Sequence, residues 1–207
     1  MPAARLRGKF VTLEGVDGAG KSTHIPRVAA LLRGRELEVV VTREPGGTPL
    51  AEKLRALVLR QPMTPEAETL LVFAARADHV QAVILPALAR GAWVVCDRFT
   101  DATFAYQGAG KGVSRELIQN LALAVHPGLA PDRTLVFDCS YEVSRKRLAA
   151  SRRKSDRFEK EKRGFFERVR VAYQELARSE PGRVRIIDGV RNAKFVEAEV
   201  EKNILSI

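Results

Sequence analysis

The residues best suited to chemistry come early in the chain. Gly15-Val16-Asp17-Gly18-Ala19-Gly20-Lys21-Ser22 fits the pattern G-x-x-x-x-G-K-[ST], and Thr23 follows it. Glycines let such a loop curl until its backbone N–H groups converge on phosphate oxygens, and the helix that follows adds its positive end. In this pattern the Lys21 ammonium reaches the β- and γ-phosphates and the Ser22 hydroxyl ligates Mg²⁺. Asp17 is the odd member, an anion inside a loop built to hold anions. The pattern serves GTPases, ATP-driven motors and small-molecule kinases alike, but no N-K-x-D guanine motif accompanies it here.

Four further clusters carry charge or aromatic groups: TREPGGT (42–48), FAARADH (73–79), DRFTDATFAYQGAGKG (97–112) and SRRKSDRFE (151–159). Five short apolar runs can position them, at 9–14, 38–43, 92–97, 133–138 and 183–188. Such runs, rich in β-branched residues and separated by helical patterns, predict a parallel sheet covered on both faces. They end on Glu14, Arg43, Asp97, Asp138 and Asp188, and ligands in such sheets bind beyond the carboxyl ends of the strands. The first helix runs from the loop to about Arg33, with Pro26 in its early part. A longer one runs from about Pro65 to Ala89, bent near Pro86. Asp156 with Glu159 three residues on reads as a helix start. Phe158, Phe165, Phe166, Val169, Tyr173 and Leu176 then form an apolar stripe.

With 207 residues and 45% hydrophobic composition, the chain is expected to form one domain, 1–207. No uninterrupted apolar run approaches the ~20 residues that cross a bilayer, so no membrane partner is expected. Cys96 and Cys139 form no disulfide or metal pattern and point to a reduced cytoplasm. His24, His79 and His126 form no constellation and are expected to pack. The net charge of +10 suggests a polyanionic partner, but residues 145–170 alone hold twelve Lys/Arg against four Asp/Glu. So local an excess suits a basic flap at least as well as a nucleic-acid surface.

Together, EGVDGAGKST, TREPGGT, FAARADH, DRFTDATFAYQGAGKG and DRFE resemble the thymidylate kinases, in order and spacing, from about Lys9 to Leu176. The resemblance implies a P-loop NTPase fold of the nucleoside monophosphate kinase kind, three-layer α/β/α with a five-stranded parallel sheet. It implies transfer of the γ-phosphoryl of ATP to dTMP with Mg²⁺, under a lid at about 147–160. Gly15 through Thr23 would bind ATP with Arg147, and Ser22 and Asp97 would hold the metal. Phe73 would stack on thymine and Arg76 bond its O4, although many relatives place the aromatic four residues before the arginine. Arg98 would grip the acceptor phosphate. Glu44, Pro45, Thr103, Tyr106, Gln107 and Asp17 would line the rest of the dTMP site. Arg43 and Glu44 read equally well as a strand-end ion pair, and Ala102 stands where many relatives have Ser.

Some relatives carry a catalytic arginine directly after the loop aspartate, where this chain has Gly18. Others supply it from the lid, which here implies Arg157 first, then Arg153 and Arg152. With Lys21, Arg98 and Asp17, Arg157 and Arg153 complete the expected catalytic set. The family's habit implies a homodimer through the long helices, with no stable nucleic-acid partner. The alternatives are a kinase preferring another nucleoside monophosphate, or a nucleotide-regulated nucleic-acid-binding protein with salt-sensitive binding.

Overall fold

Each apolar run becomes a strand whose ends lie within one residue of the expected ones, because β-branched side chains pack well on a pleated surface. In the computed structural model, which describes residues 7–151 and 156–207, they are β1 (Phe10–Gly15), β2 (Val39–Arg43), β3 (Trp93–Asp97), β4 (Arg133–Asp138) and β5 (Val184–Asp188). They form one sheet in the order β2-β3-β1-β4-β5, every pair parallel. The register aligns the carboxyl ends, with Leu13 and Arg43 both opposite Asp97, and Asp138 opposite Asp188. β1 lies centrally, so the loop after it emerges in the crevice.

Side-chain alternation gives the sheet two buried faces. On one, Phe10, Val94 and Cys96 pack with Val80, Ile84, Ala87 and Leu88. On the other, Val11, Leu13, Val95, Leu135 and Phe137 meet Val28 and Leu32 of α1 (Lys21–Arg33) and Val196, Val200 and Ile204 of α9 (Ala193–Ile204). The result is the expected sheet between helical layers. Cys96 and Cys139 are free and buried.

After β2 come α2 (Pro49–Arg60) and α3 (Pro65–His79), each with a threonine cap (Thr48, Thr64) and a proline in its first turn. α3 continues through a π-helical turn, Val80–Ile84, into α4 (Leu85–Ala89). The 25-residue run Pro65–Ala89 is long and apolar enough, by length and composition, to cross a membrane. Here it is a core helix: its Glu68, Arg76 and His79 are buried against partners from other elements.

Beyond β3, α5 (Thr100–Thr103) runs into a second π-helical segment, Phe104–Gly110, and then α6 (Arg115–Val125). α7 (Tyr141–Ala150) follows β4 and α8 (Arg163–Ser179) precedes β5. The helix-start signature at Asp156 caps something shorter than expected. Glu159 N–H donates to Asp156 Oδ1 at 3.0 Å, but the capped element is one 3₁₀ turn, Phe158–Lys160, and α8 begins only at Arg163.

Candidate active site

The loop after β1 has the shape that its glycines demand. Gly15 has φ +119°, and a Cβ there would lie 2.1 Å from Phe137 O. α1 begins at Lys21 without a side-chain cap, so its first N–H groups point into the loop. Lys21 is buried, its Nζ donating to Gly15 O and Val16 O, both at 2.9 Å. Burial, helped by repulsion from Arg98, lowers its pKa to about 8 despite Asp17, Asp97 and Glu14 nearby. Arg147 of α7 ties the loop to the turn after β5, with Nη1 on Gly18 O and Ala19 O (3.2 and 3.3 Å) and Nη2 on Gly189 O (2.7 Å). Ser144 Oγ donates to Asp17 O at 2.7 Å. Gly18 has φ +76° and a Cβ there would stand 2.8 Å from Ser144 O, so α7 fills the place a side chain at position 18 would need.

β3 delivers Asp97 and Arg98 beside this loop. Asp97 Oδ1 is buried without a hydrogen-bond partner, whereas Ser22 and Thr23 are exposed at the start of α1. Among the described residues no cluster of three or more His, Cys, Asp or Glu side chains forms a metal cage. A hydroxyl plus one carboxylate suits Mg²⁺, which keeps most of its ligands as water and nucleotide phosphate. Arg98 takes the left-handed backbone, φ +70°, a conformation that costs a non-glycine residue about 1–3 kcal/mol. Its guanidinium donates to Gly15 O (2.9 Å), Asp17 Oδ1 (2.8 Å) and the hydroxyls of Tyr106 (3.0 Å) and Tyr173 (3.4 Å). It also lies over the Tyr106 ring, 4.6 Å from its centroid. Burial opposes the charge, but Tyr106, Asp17, Tyr173 and Asp97 hold its pKa well above the ordinary value.

The strained turn is braced from β1. Glu14, fully buried, accepts from Phe99 N–H at 2.7 Å and from the Tyr173 hydroxyl at 2.6 Å. Burial and the charge of Asp101 push its carboxyl up to about 7. Tyr173 belongs to the apolar stripe, so the sequence disclosed its packing face but not this polar tip.

A cavity opens on the β2 side of Arg98, walled by Asp17, Glu44, Pro45, Arg55, Val72, Arg76, Thr103, Tyr106, Gln107 and Phe158 among others. Arg76 Nε donates to Glu44 Oε2 at 2.6 Å and Nη2 to Thr103 Oγ1 at 3.1 Å, while Nη1 is buried with no partner. His79 Nδ1–H donates to Glu44 Oε1 at 2.9 Å, and its Nε2 accepts the Thr42 hydroxyl at 2.6 Å. Burial would raise the Glu44 pKa, but Arg76 and His79 more than offset it and the net shift is downward. The Glu44–Pro45 bond is cis. The alternative pairing of Arg43 with Glu44 does not form, for Arg43 holds Glu52 instead, at 2.8 Å.

Two expectations change. Phe73 is absent from the cavity wall: its ring, 2% exposed, clusters with Val113 and Ile118 and stacks on His126. Val72, four residues before Arg76, takes the wall position, while the Phe73 ring packs against the Arg76 guanidinium, 4.6 Å from ring centroid to Cζ. Arg157 is engaged beside this cavity, with α2 and α3. Its Nε and Nη2 both donate to Val58 O (3.2 and 2.8 Å), and Nη2 also pairs with Glu68, whose fully buried carboxylate demands cations. Arg153 and Arg152 lie outside the described residues.

Two residues escaped sequence reasoning, Arg55 on the wall and Glu68, which is bonded to the wall residue Gln107. Arg55 of α2 brings a third arginine to the cavity, beside Arg76 and Arg98, and donates to Pro45 O at 2.8 Å. Glu68 lies eight residues before Arg76, one helical face up α3 through Val72, a spacing that could have flagged it.

A glycine-rich loop after the central parallel strand, facing a second pocket lined by Arg55, Arg76 and Arg98, defines a P-loop phosphotransferase. The thymidylate kinase family model matches residues 13–200. The chain is 57% identical to thymidylate kinase of Bordetella pertussis over 198 residues, covering 96% of this chain and 95% of that one. It is also 57% identical to that of Methylobacillus flagellatus, covering 94% and 96%. A crystal structure of thymidylate kinase from Ehrlichia chaffeensis superposes with a TM-score of 0.77 at 33% identity, covering 97% and 99%. The chain belongs to the thymidylate kinase family, enzymes that phosphorylate dTMP to dTDP with ATP.

Proposed function

We propose that the loop Gly15–Thr23 holds the ATP phosphates, with Lys21 on the β- and γ-oxygens and Arg147 steadying the loop. The acceptor dTMP lies in the neighbouring cavity, its phosphate between Arg98 and Arg55. Glu44, Pro45, Thr103, Tyr106 and Gln107 shape the nucleoside pocket. Asp17 orients Arg98, whose planar fork matches phosphate oxygens. Ser22 and Asp97 would hold Mg²⁺, which would supply neutralisation of the phosphate charge. The acceptor is already a phosphate dianion near neutral pH, so the protein's contribution is positioning and charge neutralisation. Of the arginines at 152–157, Arg153 with Arg152 takes the transition-state role, and Arg157 serves the acceptor side.

The single observation that carries the acceptor reading is the buried, unpartnered Arg76 Nη1 on the cavity wall. Such a donor favours a base carbonyl and rejects an exocyclic amine, since a buried unpaired donor costs about 1–3 kcal/mol. Coupled ADP release with ATP and a panel of monophosphates tests this. dTMP should lead, dUMP should follow and dCMP should trail by at least ~10-fold in kcat/KM. A dCMP rate equal to the dTMP rate overturns the reading.

A homodimer is supported by exposed leucines on adjoining helices, Leu57 of α2, Leu70 of α3 and Leu123 of α6. A gel-filtration mass of one chain across micromolar concentrations refutes it. Cytoplasmic residence fits the two free, buried cysteines.

A further inference from the structure

Glu68 is a fully buried carboxylate with no part in the roles above. It stands on the face of α3 that also carries Val72 and Arg76, residues spaced four apart. Two rungs cross from this face to the segment carrying the nucleoside pocket: Arg76 to Thr103 at 3.1 Å, and Gln107 Nε2 to Glu68 Oε1 at 2.7 Å. The second carboxylate oxygen, Oε2, takes Lys111 Nζ at 2.7 Å and the Arg157 guanidinium. A single buried anion thus joins a residue of the acceptor pocket to the turn Asp156–Lys160.

That turn forms part of the acceptor wall through Asp156 and Phe158. Phe158 lies edge-on to Tyr106, with ring centroids 5.8 Å apart. Its ring is flanked by the same two cations that Glu68 binds, Lys111 at 4.7 Å and Arg157 at 5.1 Å. Glu68 therefore fixes the donors that in turn fix the ring. Lys111 and Arg157 are partly exposed whereas the Glu68 carboxylate is fully buried, so the ionised carboxylate needs these cations and holds them in place.

We propose that Glu68 is a positioning residue for the acceptor, seating the Asp156–Lys160 turn through Arg157 and coupling that seat to Gln107, so that dTMP affinity depends on the Glu68–Arg157 pair. This rests on the acceptor reading above. It assigns Glu68 no contact with the reacting atoms and no influence on ATP.

Calorimetry with the full-length protein and dTMP alone, then with ATP and Mg²⁺ alone, tests it on wild type, Glu68→Gln, Arg157→Ala and the double variant. Wild type that fails to bind dTMP defeats the acceptor reading itself, separately from this inference. Given wild-type binding, each single variant should weaken dTMP by ~10-fold and leave ATP within about twofold. The double variant should be no weaker than the weaker single one, because both substitutions break one link. A merely structural Glu68 predicts lower thermal stability with dTMP affinity unchanged, or equal losses for both nucleotides, and either result overturns the proposal. So do additive losses in the double variant. Should Glu68→Gln fail to fold, Arg157→Lys keeps the charge on a partly exposed residue but loses the fork to Val58 O. It should weaken dTMP alone, and unchanged dTMP binding in that variant overturns the proposal equally.

Discussion

Glu14→Gln should make the protein more stable, and increasingly so as pH rises from 5 to 8. Glu14 is fully buried, and burial with the nearby charge of Asp101 pushes its carboxyl from the ordinary 4.5 to about 7. Its bonds from Phe99 N–H and Tyr173 favour the ionised form but do not offset these effects. Between those two pH values the unfolded chain has released a proton that the folded chain retains. The unfolded state binds fewer protons there, so stability falls as pH rises through the window and the full penalty is present above ~7. At about 1.4 kcal/mol per tenfold difference in proton affinity, the penalty is ~3 kcal/mol. Glutamine is neutral throughout, and its amide can still accept from Phe99 N–H and donate to the Tyr173 oxygen. In a chain of this size each kcal/mol moves Tm by about 2–4 °C. The difference in Tm, variant minus wild type, should therefore widen by about 5–10 °C between pH 5 and pH 8 in a fluorescence melt. Taking the difference at each pH cancels the other titrating groups. A difference that stays constant over this range, or narrows, refutes the assignment of a neutral Glu14.

Gly18→Arg, which restores the arginine that some relatives carry in the loop, should lower Tm by about 5–10 °C in the same melt. The cost combines a side chain at φ +76° with the 2.8 Å approach to Ser144 O. A variant that melts with wild type would show that α7 yields freely. Asp97→Asn should raise the Mg²⁺ concentration needed for half-maximal ADP release by at least ~10-fold while leaving dTMP binding measured without metal unchanged, and an unshifted requirement removes Asp97 from the metal site. Arg98→Lys should cut kcat/KM for dTMP by at least ~10²-fold. Lysine cannot reproduce the fork to Asp17 and Gly15, and near-normal turnover counts against Arg98 as the phosphate grip.

What the sequence disclosed follows from how local each feature is. The five strands and the loop were legible because alternation, β-branching and glycine spacing act over a few residues. Glu44 was misjudged in one of its two readings because its immediate neighbour Arg43 looked like the natural partner. The actual partner, Arg76, is 32 residues away and reaches it only once α3 crosses the end of β2. Phe73 and Val72 are both apolar, so composition could not fix the helical phase, and one residue of phase moves a side chain by about 100° around the helix. The two π-helical segments have no propensity signature at all, yet one of them presents Tyr106 to Arg98 and Gln107 to Glu68 from adjacent positions. The seat of Arg157 depends on a carboxylate 89 positions earlier.

Asp17 stops being an anomaly once both pockets are considered. Its carboxylate accepts from Arg98, and its own carbonyl is held by Ser144. The cation it orients is fixed on the opposite side by Gly15 O, a carbonyl of the loop itself. In the proposed function one short segment therefore shapes the donor cradle with its N–H groups and aims Arg98 with its carboxylate and a carbonyl. That double duty also explains the tight fit of α7. A loop that has to set the distance between two phosphates, as proposed, needs little freedom to move. Ser144 and Leu148 occupy the space a side chain at Gly18 would need, and Arg147 ties down the Gly18 carbonyl. The loop therefore has no room for an arginine at position 18, and in the proposed function that role falls to the basic stretch after α7.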